Sequence, residues 1–393
     1  MECLTTISRH PLVRAAQRLA EDDPELARTV YLEALGTELS AGRGVGNPHA
    51  VAVARAAAGA PPAAGQPRPP DLLLEGLVVR LTQGFAAAAP GLTRAARAVI
   101  QAGSTIENGR WLWLAARVAD DLWDDRAWHL RAAGGDEGLI GSFPEHPGHH
   151  SSRRDAAVYY ERALRCNARG EYDSATAAAQ QACASDDVGL HGWALSELVV
   201  AASRTSQLDV ARAALAQLTE RALASGTEWA LGILARGRAL LSPADAEEYY
   251  QESIARLGRA DMGLDLGRTH LLYGEWLRRE NRRVHARDEL HRALDSFETT
   301  GAAAFSDRVH SELLATGETV RKRTVSSYAE LTPQEERIAH LAGSWLTNAE
   351  IATRLFLSPR TVEWHLGKVF AKLGVASRRE LSQLQRRHRA LAS

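Results

Sequence analysis

Lysine is almost missing from this chain. It occurs only at Lys322, Lys368 and Lys372, and arginine supplies the rest of the 47 basic residues. A P-loop of the form GxxxxGK[ST] needs a lysine that reaches the phosphates, so the sequence holds no such nucleotide motif. Cysteine is scarce too. Cys3, Cys166 and Cys183 cannot build a disulfide framework, and their odd number fits a reducing compartment. No uninterrupted apolar run reaches the ~18 residues of a membrane span. The opening MECLTTISRH has no apolar stretch behind a basic start, so no secretory signal is expected and the chain is placed in the cytoplasm. Alternating runs of β-branched residues are equally rare, which argues against sheet-built folds.

What is present is material for folded helices. Hydrophobic residues make up 45% and charged residues 24% of the 393, the balance of an ordinary globular protein. At ~150 residues per domain, that length suggests two or three domains. The net charge of −1 hides an asymmetry. Residues 321–393 carry 13 Lys/Arg against 6 Asp/Glu, a charge of +7, and the preceding residues carry −8. A basic end on an acidic body points to a polyanionic partner at that end.

Breakers divide the chain. Prolines at 61, 62, 67, 69 and 70 fix φ and remove donors, so no helix crosses APPAAGQPRPP. Before this linker, 61–70, lies an N-terminal helical segment, 1–60, expected to hold about one hairpin over 9–57. The irregular GGDEGLIGSFPEHPGHHSS and the polar RKRTVSSYAE, the linker 321–330, mark further breaks. Between them, 71–320 is expected to be a helical repeat region. Its segments EYDSATAAAQQACA, QLDVARAALAQLTERA, ADAEEYYQESIARLG and RVHARDELHRALDSF align Ala175, Ala211, Ala246 and Ala286, spaced by 36, 35 and 40. Helices of a second type, such as LHGWALSELVVAASRT, alternate with them. Two helices per mid-thirties period, with a small residue at one crossing, predict a tetratricopeptide-like helical solenoid. The fold class is therefore all-α.

The end of the chain, 331–393, is punctuated most completely. Thr332-Pro-Gln-Glu335 places a hydroxyl at the N-cap, proline at N1 and a carboxylate at N3, a capping box. Thr347 with Glu350 and Ser377 with Glu380 repeat the pattern, and Ser358-Pro359 starts another helix. Gly343 and Gly374 sit where helices end. Four helices follow: 333–342, 348–355, 359–373 and 378–387. The second and third join through Phe356-Leu357-Ser358, a helix-turn-helix arrangement. In the third, Val362, Leu366, Val369, Phe370 and Leu373 share a face that should pack on Ile338, Leu341, Ile351 and Leu355. The other face presents Arg360, Thr361, Trp364, Gly367 and Lys368, flanked by Glu363 and Lys372. A helix with such a face fits the DNA major groove.

These residues resemble the DNA-binding domain of LuxR-type transcription regulators over some 55–60 positions. The opening LTPQE, the scaffold NAEIA and the run LSPRTVEWHL with KLGV and SR carry the likeness. The resemblance implies a sequence-specific DNA-binding transcription regulator on double-stranded promoter DNA, with RNA polymerase as a further partner. It implies base-edge contacts from Glu363, Trp364 and Gly367. Phosphate contacts are implied from Arg360, Thr361 and Lys368, and from groups around Asn348. Glu363 suits a cytosine amino group, and Trp364 a thymine methyl. Gly367 departs from the basic residue usual there, reaches no base, and costs ~1 kcal/mol within a helix. Against these roles stand plainer ones, with Trp364 packing on its own domain and Glu363 as a solvated flank. In the last helix Leu381 and Leu384 either form the homodimer contact on DNA that the family implies or close the core.

The front is similar to the helical stretch that precedes this domain in large ATP-binding LuxR regulators, WLWLAARVADDLWDDRAWHL included. The chain reads as a shortened relative without the ATPase, its solenoid serving as sensor for a protein or small-molecule effector. An adaptor with a vestigial DNA-binding domain is the alternative that Gly367 keeps open. Neither a catalytic site, a cofactor nor a metal is expected. Asp120, Asp121 and Asp124 spell DDxxD, a magnesium motif of isoprenoid synthases, but the second metal motif is missing and an acidic helix end accounts for them. His129, His146, His149 and His150 match no closed ligand set. Trp111, Trp113, Trp123 and Trp128 read as core, as do Cys166 and Cys183.

Overall fold

The computed structural model describes residues 10–40, 47–63, 65–103, 109–133, 151–184, 186–317, 331–344, 346–355, 357–373, 375, 378 and 380–382. No strand occurs among them. The chain divides into two units, Met1–Glu312 and Leu313–Ser393.

The first unit opens with helices α1 (Pro11–Leu19), α2 (Pro24–Ser40) and α3 (Pro48–Ala57). These are three helices where a hairpin was expected. Proline begins each one, where its missing N–H costs nothing, and Asn47 caps α3 by accepting from His49 N at 3.0 Å. The Pro-rich stretch breaks the helix but does not divide the core. Its last two prolines start α4 (Pro69–Thr82). Leu35 before the stretch and Leu73, Leu77 and Leu92 after it share one apolar cluster. Helices α5 (Phe85–Ala102), α6 (Leu112–Asp121) and α7 (Asp125–Ala133) complete this region.

From α8 (Ser151–Arg169) onward, helices pack on their chain neighbours as a solenoid. They are α9 (Tyr172–Ala182), α10 (His191–Ala202), α11 (Leu208–Ser225), α12 (Glu228–Leu241), α13 (Ala246–Arg259), α14 (Gly263–Arg279), α15 (Arg283–Thr300) and α16 (Ala303–Ala315). Ala175, Ala211, Ala246 and Ala286 begin alternate helices and are all buried. On the facing helices, glycine does the same work. A Cβ on Gly232 would stand 2.7 Å from Leu257, and one on Gly274 2.8 Å from Leu290. Close helix approach at small residues is thus what the repeat preserves. Trp123 has a left-handed backbone, with φ of 47°. It lies in the core of the repeats, while the preceding Leu122 lies in the N-terminal core.

Buried arginine–carboxylate pairs pin these parts together. Arg80 of α4 holds Asp186 through two contacts of 2.9 Å. Arg221 of α11 reaches the same carboxylate and also Asp121 at 3.1 Å. Both guanidinium groups lie over the Phe85 ring, at 5.1 and 4.6 Å from its centre. Arg117 binds Asp187 and the Val188 carbonyl, each at 2.8 Å. Burial alone would raise Asp186, but Arg221 and Arg80 outweigh it and hold the carboxyl below its ordinary range.

Two outcomes are expected. Gly192→Ala places a Cβ 2.4 Å from the buried Trp123 ring. It should lower stability by ~1–3 kcal/mol, read as a smaller urea midpoint with an unchanged slope. The depressed Asp186 contributes stability that is present above its unfolded pKa of about 4 and is lost as pH falls through the folded value. Asp186→Asn should therefore lower the urea midpoint at neutral pH and shrink its decline on acidification.

Candidate nucleic-acid interface

The second unit contains α17 (Pro333–Gly343), α18 (Asn348–Leu355) and α19 (Pro359–Leu373), with further helical residues at 378 and 380–382. Its starts are fixed by side chains. Glu335 Oε2 accepts from Thr332 N at 2.9 Å, and Thr332 Oγ1 accepts from Glu335 N at 3.3 Å. Glu350 accepts from Thr347 N and Oγ1, each at 2.7 Å, which holds its carboxyl below the ordinary range. Ser358 Oγ accepts from Thr361 N at 3.1 Å and lies 2.8 Å from Thr361 Oγ1. Each of these caps satisfies a backbone donor that a helix start leaves open. The sequence placed the end of α17 one residue early. Gly343 is still helical, and Ser344 is the cap.

The core of the unit is the one the spacing predicts. Val362, Leu366, Val369 and Leu373 turn inward to Ile338 and Ile351, with Leu341, Leu355 and Phe370 packed around them. Leu381 is buried in the same cluster. That favours closing the core over a dimer contact for this residue, and Leu384 lies outside the described residues.

The outward face of α19 is open. Arg360, Glu363, Gly367 and Lys368 are exposed, and Trp364 is 57% exposed. A Cβ built on Gly367 meets nothing within 4 Å. The Lys368 ammonium stands 3.6 Å from the centre of the Trp364 ring, one helical turn away. This cation–π pair is worth ~0.5–1 kcal/mol at an exposed site and keeps both side chains on the same stripe. Thr361 is half-buried through its link to Ser358. The side chain of Lys372 is outside the described residues.

Asn348 has a more committed position. It begins α18, and its Oδ1 accepts from Arg378 Nη2. Arg378 Nη1 also donates to the Leu346 carbonyl. Arg378 therefore ties the start of α18 to the last helix, a role that reading single helices did not assign; the SR after KLGV was its only trace. His365 Nδ1 is buried in α19 and has no hydrogen-bond partner among the described residues.

The other candidate sites resolve into packing. Asp121 is taken by Arg80 and Arg221. Asp124 is taken by Arg97, at 2.6 and 2.8 Å, and caps α7 through Ala127 N at 3.1 Å. Asp121 and Asp124 are thus engaged by guanidinium groups, and Asp120 has a partner of its own. His129 Nε2 lies 2.9 Å from the Ala260 carbonyl, and His146, His149 and His150 lie outside the described residues. No group of three or more His, Cys, Asp or Glu among the described residues is arranged to hold a metal ion. Trp111 and Trp123 are buried, and Trp113 and Trp128 pack against the same cores.

Residues 329–384 match the bacterial regulatory proteins of the luxR family. The C-terminal unit is a LuxR-type helix-turn-helix domain. The chain is 43% identical over 83 residues to an HTH-type transcriptional regulator of Mycobacterium bovis, covering 21% of this chain and 8% of that protein. A Mycobacterium tuberculosis regulator of the same description matches at 42% over the same shares. The tetrathionate response regulatory protein TtrR of Salmonella typhimurium is 36% identical over 73 residues, 19% of this chain and 34% of its own. The match thus spans about 8% of the length of the mycobacterial relatives. No solved structure matches the chain. Among the described residues, no helix is long and apolar enough to cross a membrane.

Because Gly367 faces open space, Gly367→Ala should raise the stability of this domain by up to ~1 kcal/mol, the difference in helix propensity. Thr332→Ala should lower it by ~1 kcal/mol through loss of the cap. Urea titrations of the full chain that resolve the C-terminal transition check both.

Proposed function

We propose that the protein is a sequence-specific DNA-binding transcription regulator. The observation that carries this reading is the stripe of Arg360, Trp364 and Lys368 exposed on α19 while Val362, Leu366 and Val369 hold the helix in place. α19 lies in the major groove with Trp364 and Glu363 at base edges. Arg360, Lys368 and Thr361, with the start of α18 at Asn348, meet phosphates. Gly367 contributes closeness rather than a contact, because nothing on the helix fills its place. Such work on promoter DNA, beside RNA polymerase, belongs in the cytoplasm. The solenoid is the sensor, where a protein or small-molecule effector acts.

Lys368 occupies two roles in this reading. In the free protein its ammonium covers the indole face of Trp364. On DNA it moves to a phosphate and uncovers that face for a base edge. The cation–π contact is weak enough to be exchanged for a charge-assisted hydrogen bond.

A second reading has the solenoid as an adaptor and the DNA-binding unit as vestigial. The bare surface at Gly367 favours it, since a basic side chain there would add a phosphate contact.

Selection from a random duplex library with the full chain, followed by titration at several salt concentrations, separates the two. The regulator reading expects an enriched motif and a steep loss of affinity with salt. Lys368→Ala should weaken all duplexes alike and reduce the salt slope by about one. Trp364→Ala should instead flatten the preference at one or two positions. Absence of any binding at low salt, together with a stoichiometric protein partner, would select the adaptor. A selected motif with two-fold symmetry would report binding as a homodimer.

A further inference from the structure

The interior of the solenoid near α16 holds more positive than negative charge. Glu275 of α14 accepts from Arg204 Nη2 at 2.6 Å and from Arg308 Nη2. Arg308 also donates to the Asn167 carbonyl at 2.7 Å and to the Tyr172 hydroxyl at 2.6 Å. Glu312 is held by Arg278 at 2.8 Å. Both carboxylates are therefore already matched. Arg279 lies close by and makes no hydrogen bond or ion pair among the described residues. Four guanidinium groups thus share two carboxylates.

Two buried polar atoms in the same place are unsatisfied, Arg204 Nε and the Tyr250 hydroxyl. Tyr250 is fully buried, and its ring is fixed beside Tyr273 and Trp276, at 5.2 and 6.3 Å between centres. Burial pushes its phenol up to about 12, and Arg204 is the charge that acts on it most strongly. The hydroxyl is therefore a neutral donor held next to Arg204. Arg279 is held below its ordinary value by partial burial and then by the like charge of Arg204. Buried donors without acceptors are uncommon and mark the place of a water or an ion. The surplus of positive charge selects an anion.

We propose that Arg204, Arg279, Arg308 and the Tyr250 hydroxyl form a binding site for a dianionic phosphate group, free or as a monoester. A phosphate offers three acceptor oxygens and nearly two negative charges at neutral pH, and guanidinium forks match that geometry. The charge it brings offsets the two unmatched guanidinium groups. Arg279 is the exposed member of the set. Arg308 reaches from α16 to α8, α9 and α14, so a bound phosphate that draws on Arg308 changes how the end of the solenoid is held. The site stands on the solenoid alone and is independent of the DNA-binding reading.

The test is calorimetric titration of the full chain, at fixed ionic strength, with inorganic phosphate and separately with glycerol phosphate. Saturable binding is expected for at least one, and the tighter of the two identifies the source as free phosphate or monoester. Arg279→Gln removes an exposed and unpaired side chain, so the protein should fold as before. Its affinity should fall at least ~10-fold, the loss of one charge-assisted contact. Tyr250→Phe keeps the stacked ring and should weaken binding several-fold. Absence of saturable binding to both probes would overturn the proposal. So would an affinity unchanged in Arg279→Gln, which would place the phosphate elsewhere, at the basic C-terminal unit for example.

Discussion

The exposed face of α19 depends on the burial of the other side of the same helix. Val362, Leu366 and Val369 of α19 are gripped by α17 and α18. Once those three turn inward, the helical period leaves Trp364 and Lys368 no direction but outward. The side-chain caps of Thr332, Thr347 and Ser358 fix where each helix starts, and so fix the rotation of each about its own axis. Arg378 adds the remaining constraint by binding the start of α18. A short domain gains a defined surface in this way from a small core.

The larger unit solves a different problem. A solenoid buries its apolar stripe only between neighbours, and small residues at the crossings let the helices close up. Its interior also carries many charges, and these are handled by arginine. The guanidinium fork suits this use, because one side chain satisfies several acceptors at once, as Arg117 and Arg308 do. A lysine ammonium in the same positions lacks that planar reach. The absence of lysine before residue 321 is therefore compatible with the architecture, whatever its origin in composition.

Local signals in the sequence were legible and long-range ones were not. The extents of α18 and α19 follow from Thr347, Ser358, Pro359 and the apolar spacing. The alanine register of the repeats also stands in the structure, since caps and periods act over a few residues. The fate of Asp121 and Asp124 was hidden, because their partners Arg80, Arg221 and Arg97 lie up to 100 residues away. Position alone could not show that the Pro-rich stretch is an internal connection, since Leu35 and Leu73 meet only in the folded core. In the candidate interface, the exposed face of α19 follows from the apolar spacing of Val362, Leu366 and Val369. The contact of Lys368 with Trp364 does not follow from that spacing, because it depends on rotamers. Nor does the clamp of Arg378 on Asn348, which depends on tertiary packing.

The most direct test of the account is a chemical footprint of the full chain on a selected duplex. Dimethyl sulfate methylates guanine N7 in the major groove and adenine N3 in the minor groove. Protection of guanine N7 within the motif is expected, with adenine N3 left reactive, and that protection should be lost in Glu363→Ala at the guanines paired with the cytosines it reads. Protection confined to the minor groove, or a major-groove footprint unaffected by Glu363→Ala, would contradict docking of α19 in the major groove.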